Sequence, residues 1–453
     1  MARSPEMILT DDRLPPAATG VRDRLEAMVR DGELRTVEIL WPDHWGHARG
    51  KRIPAERFLE HAGGDGFAFC DAVLSYGVTG EAQDGTLLTG WETGYPDLHA
   101  IPDLESFRVL PWRVGTGLVV CDVVDAEGAL VRTAPRTVLR RIVEQLGALG
   151  FQARVGVELE LHLLDSQGVP LTDGLQCYSL AKLGELDPVL ERIFEGLEGV
   201  VELEGANTEY GPGQVEVNMA HAAPLHAADD ATRLKYCVRE LARRGGALAT
   251  FMAKPFAEHA GNSMHLHVSL WRDGEPAFVS LDRSQSNVMR AAIGGVLRHL
   301  PGIVLYGAPT VNSYKRFEPA SFAPATQTWG GDNRTVAVRA LLESPASARL
   351  ELRTPGADAQ PHWAIAGVLA AILAGIEADA DPGEPVTGDG YLQGAPLPAT
   401  LADGIAAARA DHAVVELLGA DAVHDLATLA TAEWRVFAGS VSQWDRDRYL
   451  RTI

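Results

Sequence analysis

Four short segments of this 453-residue chain alternate apolar residues with residues capable of chemistry. In V-G-V-E-L-E-L-H-L-L (155–164) the two-residue period of a strand puts Val157, Leu159, Leu161 and Leu163 on one face and Glu158, Glu160 and His162 on the other. M-H-L-H-V-S-L (264–270) sets His265, His267 and Ser269 against Met264, Leu266, Val268 and Leu270. R-L-E-L-R (349–353) sets Arg349, Glu351 and Arg353 against Leu350 and Leu352. V-E-V-N-M (215–219) sets Glu216 and Asn218 against Val215, Val217 and Met219, just after the turn-rich E-Y-G-P-G-Q that begins at Glu209. Any one of these reads as a strand of an antiparallel sheet with its polar face in water. Together they contain no Lys and concentrate Glu, His and Arg. Laid side by side, they would bring Glu158, Glu160, Glu209, Glu216 and Glu351 into one concavity beside His265. Such a cluster needs cations: two divalent ions would neutralise four of the five charges, and carboxylates with one imidazole suit Mg²⁺ or Mn²⁺. Hard metals with arginines on the same face form a kit for phosphoryl transfer, in which metals bridge phosphate oxygens and arginines stabilise the moving group.

The elements that must hold these strands are legible in outline. Residues 1–20 have the Pro-rich, aperiodic composition of a loose terminal arm. Residues 21–131 mix a helix (Val21–Arg30) with strand-like runs at Thr36–Trp41 and Leu118–Val124, as in a small α+β domain. From 132 to 453 a larger domain begins with Val138, Leu139, Ile142, Val143, Leu146 and Leu149 at helical spacing, closed by Gly150, and continues with helices expected around Asp229–Met252, Ser286–Leu300 and His362–Ile376. A net charge of −21 argues against a general nucleic-acid or anionic-membrane binder. The apolar run Trp363–Ile376 is short of the roughly 18 residues a bilayer needs and reads as a buried helix. No export signal or paired-cysteine motif is visible, so the expectation is a cytoplasmic protein with reduced cysteines.

The ordered motifs V-E-L-E, E-Y-G-P-G-Q-V-E, M-H-L-H-V-S-L, N-S-Y-K-R, N-R and R-L-E-L-R over Val157–Arg353 resemble the glutamine synthetase superfamily. The resemblance implies an α+β fold, with a small N-terminal β-grasp domain and a large catalytic domain of curved antiparallel sheet and flanking helices. It also implies assembly into homo-oligomeric rings (a dodecamer) with active sites between subunits. ATP and two or three Mg²⁺ or Mn²⁺ are the implied cofactors. Glu160, Glu209 and Glu216 would hold one metal, and Glu158, His265 and Glu351 another. Glu204, His267, Ser269, Arg339 and Arg349 match positions near ATP; Gly261, Arg316 and Arg353 match positions at glutamate; Arg334 matches the arginine that steadies the transferring phosphoryl group. The implied reaction makes γ-glutamyl phosphate and then an amide.

Two family features of an ammonium pocket are altered. The flap reads P-A-S-F-A-P (319–324), so Phe322 stands where a carboxylate would be, and F-C-D-A-V (69–73) leaves Asp71 displaced by one position from the usual acid. An aromatic in place of an acid suits the carbon chain of an organic amine, with Tyr178 beside it and Glu209 or a neighbouring subunit's Asp71 as base. The expectation is therefore a glutamate–amine ligase for a polyamine or small monoamine. The alternatives are an ammonia-using glutamine synthetase, a non-catalytic assembly protein of the same fold, and a kinase-like phosphotransferase. Ala260 replaces an asparagine that often contacts glutamate, and Asn262 is a candidate to supply that amide. His162 is expected to be structural, W-P-D-H-W-G-H around His44 and His47 to be a surface loop, and Gly205, Gly211 and Gly213 to shape turns around Glu209.

Overall fold

The computed structural model describes residues 19–175, 177–280 and 282–453; the expected terminal arm lies outside the described residues except at its last two positions. A helix over Thr19–Arg30 leads into six strands: β1 (Thr36–Pro42), β2 (Ala48–Pro54), β3 (Phe67–Cys70), β4 (Asp97–Pro102), β5 (Arg108–Val109) and β6 (Thr116–Val124). They lie in the order β2-β1-β6-β4-β3, with β5 also on β6; β1 and β6 are parallel and the other pairs antiparallel. Leu25, Val37, Ile39, Phe58, Phe69 and Val119 form a separate apolar core under this sheet. This is the small β-grasp unit.

The larger sheet has nine strands: β7 (Gln152–Leu164), β8 (Leu203–Thr208), β9 (Gln214–Ala222), β10 (Leu248–Thr250), β11 (Met264–Arg272), β12 (Glu275–Pro276), β13 (Trp329–Gly330), β14 (Val338–Leu341) and β15 (Arg349–Leu352). Its order is β13-β14-β15-β11-β7-β9-β8, with β10 on β7 and β12 on β11. The four charge-bearing strands β15, β11, β7 and β9 are therefore consecutive neighbours, all antiparallel. Their apolar faces, among them Val157, Leu159, Val217, Leu266 and Leu350, are buried in the main core. That burial fixes the register, because a one-residue slip would drive the glutamates into the core and the leucines out.

Two apolar helices, Asn287–Gly307 and Pro361–Glu377, pack against each other through glycines: a Cβ at Gly295 would lie 2.5 Å from Gly375 Cα. The first is long and apolar enough to cross a membrane by length and composition, but 67% of its apolar window is buried inside the protein. The expected helix Asp229–Met252 instead spans Pro224–Arg244. Gly245 and Gly246, the latter at φ +78°, end it, and the chain turns into β10, which pairs with β7.

Arg136, on the helix Pro135–Ala148, ties the small sheet to the large core. Its guanidinium lies 2.6 Å from Asp103 Oδ2, 2.6 Å from Asp122 Oδ2 and 3.1 Å from Asp229 Oδ2. Arg140 pairs with Asp122 at 2.9 Å and His362 with Asp229 at 2.9 Å. The W-P-D-H-W-G-H segment is not a surface loop: His44 is 1% exposed, and its Nδ1 accepts from Trp363 Nε1 at 3.1 Å. The two tryptophans beside it draw the loop inward, leaving only His47 partly exposed against Asp43.

Candidate active site

Cross-strand register assembles a row of functional side chains. Glu351 on β15 sits opposite Arg339 on β14 and His267 on β11; His265 on β11 sits opposite Glu158 on β7; Glu160 on β7 sits opposite Glu216 on β9. Directly opposed residues share a sheet face, so alternation within strands plus register between them yields one continuous acidic surface. Glu160 and Glu216 are each 7% exposed, His265 5% and Glu351 1%.

The row has two electrostatically different halves. At one end, Glu351 Oε2 accepts from Arg339 Nη1 at 2.8 Å, and its other oxygen accepts from Arg353 Nη1. Burial would raise the Glu351 carboxyl, yet Arg353 and the two histidines hold it at about 2. Glu158 lies 3.3 Å from His265 Nδ1 and 2.9 Å from His267 Nε2, and these contacts outweigh burial and hold it well below the usual carboxylate range. At the other end, Glu160, Glu209 and Glu216 make no ion pair within 4.0 Å among the described residues. Ser263 N and Gln214 Nε2 donate to Glu160 Oε2 at 2.7 and 3.2 Å, and Asn207 Nδ2 donates to Glu209 Oε1 at 2.9 Å. Cys177 Sγ lies 3.8 Å from Glu209 Oε2. Burial, then the charge of Glu160, pushes Glu209 up to about 7; burial, then Glu158, Glu160 and Glu209, pushes Glu216 up to about 9.

The donor set fits hard divalent cations. Oxygen and imidazole atoms of Glu158, Glu216 and His265 lie within 4.8 Å of one another, as do those of Glu158, His267 and Glu351. His265 Nε2 and Asn218 Oδ1 are buried without a hydrogen-bond partner among the described residues. His267, expected near ATP, thus also reaches Glu158, and Arg349 Nε donates to its Nδ1 at 3.2 Å.

The other expected residues fall around this row, with exceptions. Arg316 is 1% exposed, donating to Thr354 O at 3.0 Å and Ser263 Oγ at 2.8 Å; a Cβ at Gly261 would come within 2.6 Å of its Cγ, which explains the glycine. Arg353 Nη2 donates to Phe322 O at 3.3 Å, joining the flap to Glu351. Tyr178 N donates to Thr208 O at 2.9 Å, and its hydroxyl feels Glu216, Glu209 and Arg334. Ser269 Oγ accepts from Trp271 Nε1 at 3.0 Å, while Glu204 is exposed on β8. Asp71 starts a short turn after β3, where burial raises its carboxyl and Thr89 and Ala72 are its partners.

Asn262 does not supply a substrate-facing amide. It is fully buried, with Nδ2 donating to Met252 O at 2.8 Å and Oδ1 accepting from Gln214 Nε2 at 3.1 Å. His162, 2.8 Å from the same Oδ1, has the structural role expected of it. Gly213, at φ +66°, and Gly211, where a Cβ would meet His162 Nε2 at 2.7 Å, shape the Glu209 turn; Gly205 lies instead inside β8, at its bulge against β9. Gln214, Asn207 and Cys177 were not singled out by spacing. Gln214 was signalled only by its place at the end of E-Y-G-P-G-Q.

A β-grasp unit followed by an antiparallel sheet with this row of carboxylates, imidazoles and arginines defines a carboxylate–amine ligase of the glutamine synthetase type. Residues 132–449 match the family described as glutamine synthetase, catalytic domain, and the chain belongs to that family. It is 35% identical to the γ-glutamylethanolamide synthetase GlnA4 of Streptomyces coelicolor, with 98% of each chain covered. It is 33% identical to a glutamate–isopropylamine ligase of a Pseudomonas species, with 96% of this chain and 98% of the relative covered. A glutamine synthetase of Halobacterium salinarum matches at 32% identity over 96% of this chain and 98% of its own. Among solved structures, GmaS without ligand superposes with a TM-score of 0.84 at 32% identity, covering 94% of this chain and 99% of that one.

Proposed function

We propose that this enzyme joins the γ-carboxylate of glutamate to an organic amine at the expense of ATP. The observation that carries the proposal is Phe322, whose ring stacks on Tyr210, the residue after Glu209, at the flap position where an ammonium-holding acid would be expected. Relatives named for an ethanolamide product and an isopropylamine substrate support it. Glu160, Glu209 and Glu216 would hold one Mg²⁺ or Mn²⁺, and Glu158, His265 and Glu351 a second. The cations supply charge neutralisation along the nucleotide's phosphates. Glu204, His267, Ser269, Arg339 and Arg349 border the nucleotide; Gly261, Arg316 and Arg353 border glutamate. A γ-carboxylate oxygen attacks the γ-phosphorus, ADP leaves, and Arg334 steadies the moving group. The amine nitrogen then attacks the acyl carbon, phosphate leaves, and the amine proton passes to Glu209 or to Asp71 of a neighbouring subunit. Closure of the flap keeps water from the acyl phosphate. The same proposal includes a domain boundary at 131/132, a cytoplasmic location and ring assembly with sites between subunits.

Phosphate release with ATP, Mg²⁺, glutamate and a panel of ammonia, ethanolamine, short alkylamines, putrescine and spermine tests this reading. Turnover of at least one organic amine above that of ammonia is expected. Ammonia matching or exceeding every organic amine would establish the runner-up, a glutamine synthetase, which the Halobacterium relative favours.

A further inference from the structure

The Tyr210–Phe322 pair is placed with unusual insistence. The ring centroids are 5.3 Å apart and the planes 20° from parallel, an offset stack. Tyr210 is 44% and Phe322 40% exposed, so the stack is a wall with an open side rather than part of the core. Phe322 adopts a left-handed backbone at φ +58°, and Ala320 does so at φ +62°. Such a conformation is costly for a non-glycine residue and persists only where its surroundings over-determine it. Here Ser321 Oγ lies 2.6 Å from Glu318 O and 3.0 Å from Arg316 O, and Arg353 holds Phe322 O. The wall is thus fastened to the two arginines assigned to glutamate.

We infer that the Tyr210–Phe322 stack is the specificity-determining surface for the amine, and that it selects a primary monoamine with a short uncharged substituent over a diamine or polyamine. The inference rests on the reading of the chain as a glutamate–organic amine ligase. The Tyr210 backbone N–H donates to the Glu209 carboxylate and its ring stacks on Phe322, so the substituent of an amine seated at the Glu209 turn meets this wall. Hydrocarbon gains there by leaving water. A second ammonium needs an acid to receive it, and the flap's own acid, Glu318, is taken by Lys254 at 3.4 Å.

Butylamine and butane-1,4-diamine share a carbon chain and differ by one amino group, so their kcat/KM ratio on the full-length enzyme isolates the second charge. The monoamine is expected to be better by about ten-fold or more. Equal or better use of the diamine overturns the inference while leaving the ligase reading intact; preference for ammonia over both sinks the reading itself. Tyr210→Ala is expected to raise KM for butylamine about ten-fold and Tyr210→Leu, which keeps an apolar but smaller side chain, by less, with KM for ATP and glutamate little changed. Unchanged butylamine KM in a folded variant, or equal weakening of all three substrates, would remove Tyr210 from the amine site. The monoamine-to-diamine ratio needs no variant and stands if either substitution fails to fold.

Discussion

The acids around Arg136 and the trio Glu160, Glu209 and Glu216 are both largely withdrawn from water, but only the first group brings its own cations. Asp103, Asp122 and Asp229 share Arg136, with Arg140 and His362 completing the set. Asp229 is held far below its ordinary range, burial being outweighed by Arg136 and His362. Glu209 and Glu216 have only neutral donors and are pushed up instead. At the Arg136 junction the fold itself supplies the cations, whereas Glu209 and Glu216, raised together, store repulsion that a ligand cation can relieve.

Four substitutions or conditions sharpen that contrast. Arg136→Ala strands three acids at the junction of the two sheets and should lower unfolding free energy by about 3–5 kcal/mol in urea titrations. A loss under about 1 kcal/mol would mean the network is not the tie described. Glu160→Gln, which keeps an acceptor for Ser263 N and Gln214 Nε2, should do the reverse, leaving urea stability equal or higher because a repelling charge is gone. Phosphate release should nevertheless drop by more than roughly 100-fold, and metal-dependent ATP binding by calorimetry should vanish. Gln214→Leu, which removes a donor to Glu160 without touching a carboxylate, should cost about 10–100-fold in kcat/KM, recoverable in part by excess Mg²⁺. Complete insensitivity would show that Gln214 only packs.

The smallest effect is in pH. Glu209 and Glu216 bind protons more tightly folded than unfolded, where the value is 4.5. Their contribution is complete below about pH 4.5 and is lost as pH rises through about 7 and about 9. Without added metal, thermal stability should therefore fall across that window, and Glu216→Gln should flatten the fall. Asp229 works oppositely, its contribution present above the unfolded 3.8 and lost only in acid. Stability rising from pH 5 to 9 in metal-free buffer would contradict the assignment of the repulsion to these two groups.

Much of the site was legible because strand alternation and ligand chemistry are both local. Each of the four segments announces a polar face, and the burial of the opposite face leaves only one register. Sheet order was an assumption that the sequence supports only through family resemblance. What escaped were side chains whose role depends on long-range contacts. Gln214, Asn207 and Cys177 carry no pattern of their own, and the burial of His44 depends on Trp363, more than 300 residues away. Asn262 looked free beside Gly261, and only the fold shows that Met252 and Gln214 already use its amide. The helix ending at Arg244 was overextended because the apolar β10 that follows carries on the same hydrophobic run past two glycines.

Titration of the full-length protein with Mg²⁺ at about pH 7.5, in two buffers of different ionisation enthalpy, probes the cation-deficient half of the row directly. Saturable binding with net proton release is the expected result, the release shrinking in Glu216→Gln, since Glu209 and Glu216 must give up protons to become ligands. Absence of saturable binding, or binding that moves no protons and is indifferent to Glu216, would contradict the account of this row as a metal-dependent ligase site.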